Sequence, residues 1–84
     1  MNQNVTHHQT ELTPDNRLAT LSLRQHEVLT LARQNLTNEQ IAQNMGVSVL
    51  TVKKHRRNIL KALGLCGKRG FRQAIHLLER HQNT

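Results

Sequence analysis

An all-α fold of four helices behind a polar, flexible N-terminal tail is what this 84-residue sequence predicts. Three observations carry that expectation. Apolar residues recur at helical spacing in four separate segments. Ser22, Thr37 and Ser48 stand where helices can start, and Gly46 and Gly64 stand where they can stop. No stretch alternates apolar and polar residues for more than a few positions, and the β-branched residues are dispersed, so a sheet is not credible.

Residues 1–20 hold two acids, Glu11 and Asp15, one base, Arg17, and small polar residues around Pro14, the composition of a mostly disordered tail. Asp15 can cap a short turn running through Leu18 to Leu21. The first basic residue comes only at position 17, so the tail lacks the arginines of a minor-groove arm. The folded domain is expected over residues 21–81.

Ser22 with Gln25 makes a capping box, and Leu23, Val28, Leu29, Leu31 and Ala32 carry a first helix over about Leu23 to Gln34. Thr37 with Gln40 repeats the pattern. Ile41, Ala42 and Met45 form the stripe of a short second helix, and Gly46 ends it. Ser48 caps a third helix running to Leu63, with Val52, His55, Ile59 and Leu63 inward and Gly64 as the stop. Phe71, Ala74, Ile75 and Leu78 fall at i, i+3, i+4 and i+7, which predicts a strongly amphipathic fourth helix over Gly70 to His81. That stripe serves either to close the small core or to meet a second chain.

Charge narrows the function. Twelve Lys and Arg against five Asp and Glu leave a net charge of +7 with His neutral, so a polyanion is the natural partner. Eight of the twelve bases lie between Lys53 and Arg72, and no acid lies between Glu39 and Glu79, so the positive field of this half is not locally neutralised. Phe71 is the only aromatic residue, which leaves no stacking platform for single strands and favours double-stranded DNA.

The second and third helices are joined only by Gly46-Val47-Ser48, the length of turn that sets two helices at a steep angle in a helix-turn-helix. Ala42 and Gly46 permit a close crossing, and Val47 and Val52 can plug the corner. With Val52 and Ile59 inward, the third helix presents Lys53, Lys54, Arg57 and Lys61 outward, long donors that reach base edges and phosphates when such a helix enters the major groove.

The stretches Leu21 to Leu29, Ile41-Ala42, Val47 to His55 and Asn58 to Gly64 resemble the LuxR-type DNA-binding domain (LuxR/FixJ/NarL, GerE-like). The resemblance runs over about 60 residues, and Ser48-x-x-Thr51-Val52-Lys53-x-His55 is its most specific part. It implies a four-helix domain whose third helix reads the major groove and whose fourth makes a homodimer on a near-palindromic site. By position it implies base reading by Lys53, Lys54 and Arg57, with Thr51, His55 and Arg56 on or beside positions that approach phosphates. Thr37 and Ser48 cap their helices and can offer free N–H groups to phosphates. Lys61, Lys68 and Arg69 would add salt-dependent affinity. The dimer interface would comprise Phe71, Ala74, Ile75 and Leu78. The sequence departs from the family at Gln25 and Asn35, where Glu and Gly are usual, and the stretch from Leu65 to Gln73 is about three residues longer than the family pattern.

The expected function is therefore a sequence-specific regulator of transcription acting without a sensor domain, in the cytoplasm of a bacterium, with RNA polymerase or a larger LuxR-type regulator as possible protein partners. Two rivals remain: a short decoy that heterodimerises with such a larger regulator, and a non-specific nucleoid protein. No nucleophile-base pair, carboxylate cluster or Gly-rich phosphate loop is present, so an enzyme is not expected. No cofactor or metal is expected either: His7 and His8 have no third ligand beside them, and Cys66, the single cysteine, makes no disulfide and reads as an ordinary loop thiol. No apolar run approaches the roughly 18 residues of a membrane span.

Overall fold

A computed structural model of the chain describes residues 17–82. Expectations for His7, His8, Glu11, Pro14 and Asp15 fall outside the described residues. The order of elements is a 3-10 turn at Leu18–Thr20, then α1 (Leu23–Arg33), α2 (Asn38–Met45), α3 (Val49–Leu63) and α4 (Gly67–Gln82), with no strand among the described residues.

Each start and stop has a chemical cause. The Ser22 hydroxyl accepts from the Gln25 N–H at 3.1 Å while the Gln25 side-chain oxygen accepts from the Ser22 N–H at 2.9 Å, so Gln25 does the work that a glutamate does in a capping box. Beyond α1 the chain turns through Asn35, at φ 65°, a left-handed position that asparagine tolerates better than other non-glycine residues. Thr37 and Gln40 form the second capping box, with distances of 3.1 and 2.9 Å.

The third helix is the centre of the domain and packs against α1, α2, α4 and the 3-10 turn. Its inward residues Val52, Ile59 and Leu63 are fully buried, or nearly so, and meet Val28 and Leu29 of α1, Ile41 of α2 and Leu78 of α4 in one apolar cluster. Burying a side chain of this size contributes about 1.5–3 kcal/mol, which is how helices too short to persist alone are held in place.

The structure corrects the expected limits at two places. Residues 17–20 lie in the stretch expected to be mostly tail, and the short turn expected through Leu18 to Leu21 forms at Leu18–Thr20 and packs on the fold. Leu18 is buried in the core, and the Arg17 guanidinium donates to the Leu63 carbonyl at 2.9 Å, placing a cation on the negative end of α3. The fourth helix starts at Gly67 rather than Gly70: the Gly70 N–H donates to the Cys66 carbonyl at 3.0 Å, closing an extra first turn. Gly70 is buried there, and a Cβ on it would meet the Leu65 Cβ at 3.1 Å and the Leu65 carbonyl carbon at 3.3 Å, so glycine lets α4 approach the end of α3 closely.

The expected dimer surface also changes. Phe71, Ala74 and Leu78 are buried in the chain's own core, together with Leu77, and so offer little exposed surface to a second copy. Of the four residues expected at an interface only Ile75 is partly exposed. The amphipathic stripe of α4 closes the core, the plainer of its two readings.

Candidate nucleic-acid interface

The geometry of the α2–α3 corner follows from three residues. Gly46 takes φ 70°, a left-handed conformation that ends α2, and the following Val47 N–H donates to the Ala42 carbonyl at 3.0 Å. Val47 is half-buried against the core, and Val52, fully buried, fills the corner beneath it. The Ser48 hydroxyl then accepts from the Thr51 N–H at 3.1 Å and lies 3.0 Å from the Thr51 hydroxyl, fixing the first turn of α3. From the other side, Arg24 pairs with Glu27 at 3.0 Å, and its guanidinium also reaches the Met45 carbonyl at 3.4 Å, fastening α1 to the end of α2.

Along α3 the outward stripe is cationic. Lys53, Lys54, Arg57 and Lys61 are all exposed, and none has a hydrogen bond or an ion pair among the described residues. Helical periodicity opposes this stripe to Val52, Ile59 and Leu63, so a side of α3 that holds the fold backs directly onto a side that is free.

Other expected contact residues are placed unevenly. Thr37 and Ser48 are exposed at the starts of α2 and α3, and Thr51 is half-buried. Lys68 and Arg69 are exposed in the first turn of α4, the positive end of that helix, where two cations reinforce the local potential. His55 is half-buried without a hydrogen bond to the described residues. Arg56 differs most from expectation. Its guanidinium carbon lies 3.9 Å from the centroid of the Phe71 ring, and burial pushes its pKa below the usual arginine value. Arg56 is therefore joined to the core through the face of its guanidinium, while its N–H groups have no hydrogen bond among the described residues. Its packing role was hidden in the sequence, because fifteen positions separate the two residues and no periodicity links them. Leu50, also passed over in the sequence, is an exposed apolar side chain on the first turn of α3.

Among the described residues no group of three His, Cys, Asp or Glu side chains is placed to hold a metal ion, and no helix is long and apolar enough to cross a membrane.

A tight left-handed turn between two helices, the second held on the core by one side and cationic on the other, defines a helix-turn-helix domain of the kind found in DNA-binding regulators of transcription. Residues 19–77 match the family described as bacterial regulatory proteins, luxR family, and the chain belongs to that family. Comparison with curated proteins and with solved structures gives no match.

Proposed function

We propose that this chain is a sequence-specific regulator of transcription that lays α3 in the major groove of double-stranded DNA. The observation that carries the reading is the unneutralised stripe of Lys53, Lys54, Arg57 and Lys61 on the outward side of a helix whose other side is core. Lys53, Lys54 and Arg57 occupy the part of α3 that reaches base edges, where long cationic donors pair with guanine acceptors. Lys61, Lys68 and Arg69, with Thr37, Ser48 and Thr51 and the free N–H groups of their helices, approach phosphates and fix the register. Arg56 serves the fold through Phe71 and contributes to the phosphate contacts only through the general positive field.

Two copies on paired half-sites would meet through the outer side of α4, where Ile75 is the half-buried apolar residue, with Lys68, Arg72 and Glu79 on the same side by helical spacing. One isoleucine supplies little of the roughly 800 Å² per partner found in stable interfaces, so the copies meet on the DNA rather than before it. The cationic stripe of α3 favours this reading over a decoy, which has no need of an outward basic recognition helix.

Fluorescence anisotropy of the chain on its own promoter region and on a shuffled duplex, each at two salt concentrations, tests the proposal. Tighter binding to the promoter that persists at the higher salt supports it. Equal affinities for a duplex enriched from a random pool and for its shuffled version would show non-specific binding instead.

A further inference from the structure

We infer that Leu50 is a base-reading residue that packs its side chain against the 5-methyl group of a thymine; this rests on α3 being the helix that enters the groove. Leu50 is the second residue of α3 and is 76% exposed, although its neighbours Val47 and Val49 are half-buried against the core. Lys54, Arg57 and Lys61 follow it at i+4, i+7 and i+11, so it stands at the head of the cationic stripe and directly opposite Ile59. No core residue covers it.

Chemistry assigns the partner. The residues below Leu50 on the stripe are donors, which match the acceptors of guanine and the phosphates. Thymine differs from the other bases in the major groove by presenting a methyl group, and an apolar side chain is its complement. The N-terminal part of a recognition helix is the part that contacts base edges, and Leu50 lies there. Exposure alone does not carry the inference: Leu23 is 78% exposed but lies on α1, away from the stripe.

The test is a cycle between one side chain and one methyl group. The full chain is used to enrich duplexes from a random pool, and each thymine of the enriched site is replaced in turn by deoxyuridine, which lacks only the methyl. For the unaltered chain, one thymine per half-site is expected to be sensitive, with affinity falling about fourfold, the worth of one buried methyl. In Leu50→Ala the same replacement is expected to be silent, whereas Lys53→Ala remains sensitive to it. Because Leu50 is exposed, Leu50→Ala should melt at the temperature of the unaltered chain, and circular dichroism checks this. A methyl whose removal costs both chains equally, or an enriched site in which no thymine methyl matters, overturns the role of Leu50 and leaves α3 as the reading helix. A pool that shows no enrichment overturns the reading of α3, and the inference with it.

Discussion

The guanidinium of Arg56 stacks on the ring of Phe71 at 3.9 Å, joining the third helix to the fourth through the only aromatic side chain in the protein. On the proposed reading, this arginine serves the fold and not a phosphate contact. Arg56→Ala is expected to lower stability by about 0.5–1 kcal/mol, the size of a partly exposed cation–π contact. The salt slope of DNA binding should barely change. Urea unfolding and a salt titration of affinity check the two halves; a slope reduced by about one would put Arg56 on a phosphate.

Lys53→Ala and Arg57→Ala should each cost about 1–3 kcal/mol on an enriched site and relax the preference at one base position. Lys61→Ala should weaken all duplexes to a similar degree and lower the salt slope by about one. Competition binding against single-base variants of the site distinguishes these patterns.

Gly46 has open space where a Cβ would sit, so its value lies in its φ of 70° alone. Gly46→Ala is expected to cost about 1–2 kcal/mol for the left-handed backbone. That corresponds to a fall of about 4–8 °C in Tm per kcal/mol for a domain of this size. Gly46→Asn should cost less, since Asn35 already holds φ 65° in this chain. Thermal melts of the two variants side by side test the ranking.

Leu18 is 5% exposed and Arg17 caps α3, so the fold begins before residue 21. Leu18→Ala should destabilise by about 2–5 kcal/mol, the range for a buried leucine. Arg17→Ala should cost about 0.5–1.5 kcal/mol, one hydrogen bond. A chain starting at Leu21 that melted at the full-length temperature would refute both.

Ile75→Asp should reduce cooperativity between half-sites centred about 10 bp apart, one helical turn, and leave the affinity for a single half-site nearly unchanged. Footprinting on one-site and two-site duplexes measures this, with circular dichroism confirming that the variant stays folded. Unchanged cooperativity would remove α4 as the meeting surface.

The helix starts were legible because Ser22 and Thr37, each with a glutamine three residues on, state their hydrogen bonds within one turn of chain. The outward placement of Lys53, Lys54, Arg57 and Lys61 was legible for a similar reason, since helical periodicity fixes it once Val52 and Ile59 are inward. What escaped depends on residues far apart in sequence. A leucine in a polar stretch gives no sign that the end of α3 will cover it, yet Leu18 is core. An apolar stripe such as Phe71, Ala74 and Leu78 reads the same whether its own chain or another one covers it. The start of α4 was obscured by Gly67 and Gly70, which look like loop residues until the Cys66 carbonyl is seen closing the turn.

Because α3 divides into a core side and a free side, its two sets of residues can change independently of each other. Substitutions at positions 50, 53, 54, 57 and 61 leave the buried contacts of Val52, Ile59 and Leu63 intact. On the proposed reading of α3, a lineage carrying this domain can acquire a new target site one outward residue at a time, without passing through an unfolded ancestor. Under that reading, regulatory wiring can drift while the scaffold that executes it stays the same.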